Sequence, residues 1–114
     1  MTNAQPEKHL NLQIHLAENE ELGVFADLTN VWHTPNIFVL DFLAAKGPAQ
    51  PSVDPSGSLI PGAADNLAVR VAARVRIPPE QVFPLIAALQ AQGDAWLAEQ
   101  GRSTPPDSWP ASAN

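Results

Sequence analysis

Val31-Trp32-His33-Thr34-Pro35-Asn36-Ile37-Phe38-Val39-Leu40-Asp41-Phe42 is the stretch whose reading decides the fold. Two apolar runs flank Thr34-Pro35-Asn36. Proline presets its own φ and asparagine bonds to nearby backbone, so this tripeptide is a turn signal. β-Branched and aromatic side chains on both sides suit a pleated, half-buried surface. The stretch therefore reads as two antiparallel strands. A three-residue loop at 34–36 sets Trp32 opposite Phe38, Val31 opposite Val39 and Leu28 opposite Phe42. Such a Trp–Phe pair adds about 0.2–1 kcal/mol beyond simple burial.

The alternation extends toward the N-terminus. The strand ending at His33 begins near Val24, with Val24, Ala26, Leu28, Asn30 and Trp32 on one face. Phe25, Asp27, Thr29, Val31 and His33 form the other. Farther upstream, Leu10, Leu12, Ile14 and Leu16 alternate with Asn11, Gln13 and His15. That period of two predicts another strand with one buried face. Between them lies an acidic turn, Glu18, Glu20 and Glu21, closing at Gly23. Residues 1–8 are polar and read as a flexible N-terminus.

Downstream, Ile37–Leu43 is followed by a segment rich in proline and glycine. Pro48, Pro51, Pro55 and Pro61 with Gly47, Gly57 and Gly62 mark residues 45–66 as a disordered loop. The next strand, Leu67–Ile77, alternates most cleanly: Leu67, Val69, Val71, Ala73, Val75 and Ile77 against Ala68, Arg70, Ala72, Arg74 and Arg76. Pro78-Pro79-Glu80 then opens a helix, since proline suits the first helical position and Glu80 complements the positive end of the helix dipole. Val82, Leu85, Ile86, Leu89, Trp96 and Leu97 form a helical stripe. Pro84 is expected to remove one backbone bond and bend the helix start. The helix is predicted to end near Gln100, with Gly101 just past it. Residues 102–114, with Pro105, Pro106 and Pro110, read as a disordered tail.

The expected fold class is α+β: a single domain over 9–101, ordered β-β-β-loop-β-α. An antiparallel sheet of about four strands carries one long C-terminal helix across a face. Twelve of the 114 residues are proline, so the foldable part is only about 70–80 residues, near the lower limit for a stable lone core. Association relieves that shortage, and a homodimer is expected. The small side chains Ala88, Ala91 and Ala95, with Trp96, are its candidate helix contacts.

Composition narrows the function. The net charge of −6 disfavours binding to nucleic acid. With no cysteine, disulfides and thiolate metal sites are excluded. The N-terminus lacks the apolar core of a signal peptide, and no apolar run approaches the ~20 residues of a membrane helix. A cytoplasmic protein without membrane association is expected.

Several segments together resemble a small bacterial family known only as domain of unknown function 3467. Gly23, Phe25, Ala26 and Asp27 match its first strand motif. His33-Thr34-Pro35 matches its turn, and Phe38, Leu40, Asp41 and Phe42 match its Phe-x-Leu-Asp-Phe strand. Arg74-Val75-Arg76-Ile77-Pro78-Pro79-Glu80 matches its basic strand end and helix start. The chain departs from the pattern at Phe25, Asp27, Thr34 and Ile37. The resemblance spans about residues 10–100 without the loop. It implies a similar fold and a bacterial source, and it implies no catalytic residue.

Three sets of residues are candidate sites. Asp27 and Asp41, on one face in the expected register, are spaced for acid–base chemistry or cation binding; salt bridges to Arg70 or Arg74 are the simpler reading. His33 and Pro35 mark the motif turn. His33 and His15 share no ligand spacing, so no metal and no cofactor is expected. Arg70, Arg74 and Arg76, with Phe25, are a candidate interaction or nucleic-acid surface. No phosphate loop, nucleophile elbow or Cys–His pair is present. The expected function is a non-enzymatic, homo-oligomeric interaction module with an unidentified protein partner. The alternatives are a nucleic-acid-associated regulator using the arginine strand and a peptide-binding chaperone.

Overall fold

A computed structural model describes residues 9–108. The expected flexible segment 1–8 and the last residues of the proline-rich tail lie outside them. Three strands form one antiparallel sheet in the order β1 (Leu28–Thr34), β2 (Ile37–Ala45) and β3 (Val69–Ile77). A 3-10 turn, Pro79–Gln81, leads into helix α1 (Val82–Glu99). The α+β class and the antiparallel sheet match the sequence expectation. The strand count does not. Residues 9–17 join no sheet, and Leu10, Leu12, Ile14 and Leu16 are 86%, 82%, 87% and 61% exposed.

The hairpin register also differs, by one residue. Thr34 pairs with Ile37, leaving a two-residue loop, Pro35-Asn36. Proline fixes a negative φ at the first loop position, and no non-glycine residue among those described has positive φ. The mirror-image hairpin turns are thereby excluded, and the Asn36 N–H donates to Thr34 Oγ1 at 3.3 Å. Trp32 consequently lies opposite Val39, Val31 opposite Leu40 and His33 opposite Phe38. A one-residue slip exchanges faces. Trp32 joins Val39 and Asp41, while Phe38, Leu40 and Phe42 line the other face with Val31, Val75 and Ile77.

β3 carries a bulge. Phe42 pairs with Ala73 and Leu43 with Val71, so Ala72 is an extra residue. The 45–66 segment, read from sequence as a disordered loop, doubles back as an irregular extension of β2 and β3. Gln50 and Asn66 exchange backbone bonds at 2.8 and 2.7 Å, and Val53 bridges Leu59. At the tip, Asp54 Oδ1 accepts from the Ser56 and Ser58 N–H groups at 2.9 Å each and from the Ser56 hydroxyl at 2.6 Å.

Pro84 neither breaks nor starves the helix. The α-helical segment begins at Val82, so Pro84 falls within the first turn, where N–H groups have no intrahelical acceptor. The C-terminus closes as a Schellman motif. Gly101, at φ 67°, donates to Ala98 O at 3.1 Å, and Arg102 donates to Leu97 O at 2.9 Å.

Hydrophobic burial is sparse. Val39 and Ala44 are the buried apolar residues among those described. The accessible surface is 10084 Å², against about 6,000 Å² for a compact chain of this mass. The radius of gyration is 20.4 Å, where about 13 Å is usual for a domain of this size.

Two substitutions check this fold. Val39→Ala, at the best-packed site, is expected to lower unfolding free energy by about 2 kcal/mol in denaturant titration. A Cβ at Gly101 meets no atom within 4 Å. Gly101→Ala therefore costs only the left-handed backbone penalty, about 1 kcal/mol.

Candidate functional site

The sheet and the helix present apolar faces to each other across an open cleft. α1 packs closely only against the turn that precedes it. Between them lies an open cleft of about 340 Å³, lined by Val31, Phe38, Leu40 and Ile77 from the sheet and Val82, Leu85, Ile86 and Leu89 from the helix. Every lining side chain is apolar. Ile86 and Leu89 remain 54% and 64% exposed. Helical periodicity explains the alignment: residues 82, 85, 86 and 89 recur every three to four positions and so share one face. The helix was expected to lie across the sheet. It stands off it instead, and its contact face is only partly covered: Val82 and Leu85 are half-buried, Ile86 and Leu89 exposed.

The opposite sheet face holds a polar cluster. Asp41 is 4% exposed and lies between Asn30 and Arg74 in the register. Arg74 Nε donates to Asp41 Oδ1, and Arg74 Nη2 donates to Oδ2 at 2.9 Å, a bidentate pair. The guanidinium carbon sits 6.0 Å from the centre of the Trp32 ring, within cation–π reach. The Arg74 hydrogen bonds hold the Asp41 carboxyl below the ordinary carboxylate range. Partial burial opposes this, and the Arg74 charge reinforces it. The cover over Asp41 is one side chain deep, since the Arg74 side chain is itself 53% exposed.

Asp27 does not join Asp41. With the register shifted by one, the two no longer share a face. The Asp27 N–H donates to Leu43 O at 2.7 Å, and its Oδ2 accepts from Ala45 N–H at 2.7 Å. Asp27 thus caps the end of the β1–β2 ladder, and no carboxylate dyad forms. The arginine stripe is split as well. Arg74 and Arg76 lie opposite Asp41 and Val39, whereas Arg70, beyond the Ala72 bulge, lies opposite Ala44 on the other face. Phe25 precedes β1 and is 78% exposed. His33 stacks on Phe38 with ring centres 5.0 Å apart, and Pro35 shapes the turn. Ala88, Ala91 and Ala95 are exposed on the side of α1 away from the cleft, while helical spacing puts Trp96 with Leu85 and Leu89. Among the described residues, no group of three or more His, Asp or Glu side chains is placed to hold a metal ion, and no helix is long and apolar enough to cross a membrane.

The cleft escaped sequence reading because its parts look like ordinary core positions.

A carboxyl whose pKa is depressed in the folded state favours folding above its unfolded pKa. That contribution disappears as pH falls through the folded value. The Asp41–Arg74 pair is therefore fully stabilising at neutral pH and fades below about pH 4. Asp41→Asn is expected to be destabilised at pH 7 and to lose less melting temperature than the unmodified chain between pH 5 and pH 3. Thermal unfolding followed by circular dichroism checks this.

In comparisons with known proteins, no family model, curated protein or solved structure matches the chain. The family resemblance rests on its motif residues alone.

Proposed function

We propose that this chain is a non-enzymatic interaction module that works as a homodimer, with a second copy covering the apolar cleft. One observation carries the reading: an apolar sheet face and an apolar helix face stand open in a single protomer. The surplus of about 4,000 Å² over a compact chain exceeds the ~800 Å² per partner of a standard interface. Obligate dimers bury more than that standard, in interfaces that resemble a divided core. Burial repays about 25 cal/mol per Å², so an uncovered face of this kind is a strong drive to associate.

The polar groups do not favour the rivals. Arg74 is committed to Asp41, and Arg70 faces away from Arg76, so no continuous basic track follows a phosphate backbone. An unfolded peptide is an alternative occupant of the same cleft, and it is a distinct outcome of the test below.

Light scattering on the full chain at micromolar concentration is expected to give twice 12.2 kDa. Leu89→Glu places a charge in the cleft at a site exposed in the protomer. It is expected to raise the dimer dissociation constant by at least about tenfold while leaving the helical circular dichroism intact. A full chain at single mass, or a Leu89→Glu dimer of undiminished affinity, overturns the reading. A single-mass chain that binds a labelled unfolded peptide through the cleft points to the chaperone alternative.

A further inference from the structure

We infer that residues 10–16 are a strand exchanged between the two copies, pairing with the free edge of β1 in the partner. This rests on the homodimer proposed above and identifies one segment of its interface.

The arm has the pattern of a strand without the partner of one. Leu10, Leu12, Ile14 and Leu16 alternate with Asn11, Gln13 and His15. The backbone over 9–16 is not helical, and among the described residues it makes no backbone hydrogen bond. Four large apolar side chains at alternate positions, each more than 60% exposed, form one continuous stripe. A stripe of period two has no use on a solvated coil. It becomes useful when the segment lies on a sheet.

The two sheet edges are not equivalent. β3 bears Arg70, Arg74 and Arg76, the kind of charge that blunts an edge. β1, read Leu-Thr-Asn-Val-Trp-His-Thr, bears no charged aspartate, glutamate, lysine or arginine and no proline, and it pairs only with β2. It is seven residues long, the length of 10–16. A strand added there with its apolar stripe toward Val31 extends the sheet wall of the cleft. Its Asn11, Gln13 and His15 then lie beside Asn30 and Trp32 on the polar face. The arm and the cleft thereby become one continuous interface.

Exchange between copies, rather than a hairpin within one, is favoured because the arm does not pair with its own β1: residues 9–17 join no sheet, although only the Glu18–Glu20 turn and Gly23 separate them from the chain leading into β1. Leu22, Val24 and Phe25 remain 99%, 67% and 78% exposed along the way.

The chain contains no cysteine, so engineered disulfides are unambiguous. Full chains carrying Ile14→Cys or Leu12→Cys are mixed with chains carrying Val31→Cys and oxidised. A covalent species of twice the chain mass is expected from at least one of these pairs and not from Gln13→Cys with Val31→Cys, because Gln13 faces the other way. Leu12→Asp with Ile14→Asp is expected to weaken the dimer by about tenfold or more. If the unmodified chain is a dimer but no mixed disulfide forms and the Asp pair leaves its affinity unchanged, strand exchange is overturned and the homodimer stands. The same holds if Ile14→Cys and Val31→Cys bond only when placed in one chain. A monomeric full chain removes the homodimer itself.

Discussion

One constraint governs this molecule: two apolar faces, one on a three-stranded sheet and one on an 18-residue helix, flank an open cleft. Each face is made by a regular repeat, period two on the strands and 3.6 on the helix. Each is therefore fixed by the backbone and cannot be dispersed by side-chain adjustment. The turn Pro78–Gln81 sets the angle between them, and that angle opens the cleft. What is buried locally, Val39 and Ala44 among the described residues, is little for a domain of 114 residues.

The other side of the sheet is self-sufficient. Trp32, Asp41 and Arg74 come from three adjacent strands and satisfy one another there. The pair uses both carboxylate oxygens and two guanidinium donors, and no buried side-chain polar atom among the described residues lacks a partner. This face thus has little left to offer a ligand. The sheet is asymmetric in chemistry, one side closed by an ion pair and the other open and greasy. That asymmetry directs any association to the Phe38–Leu40 side.

Much of the fold could be read from the chain, and the failures have specific causes. The helix stripe and the glycine stop at Gly101 are local signals, set by periodicity and φ, and they appear where expected; the strand expected over Leu67–Ile77 begins two residues later, at Val69. The register of the central hairpin turned on a single choice: whether Thr34 belongs to the loop or to the strand. Its place in the strand shortened the loop by one residue and moved Trp32 from Phe38 to Val39, separating Asp27 from Asp41. The Ala72 bulge, which no alternation reveals, split the arginines. Pro84 looked disruptive because the helix seemed to start three residues early. The upstream arm has a strand's pattern, but a pattern specifies what a segment prefers and not which chain supplies its neighbour.

The unequal edges of the sheet bear on the arithmetic of assembly. A sheet that accepts strands on both sides can grow without end, and open-ended growth is the route to fibres. Here three arginines mark one flank; Arg74 is paired with Asp41, and juxtaposing two such flanks sets the charges of Arg70 and Arg76 against each other. Extension at the β1 flank alone, as proposed above, closes the complex after a single addition.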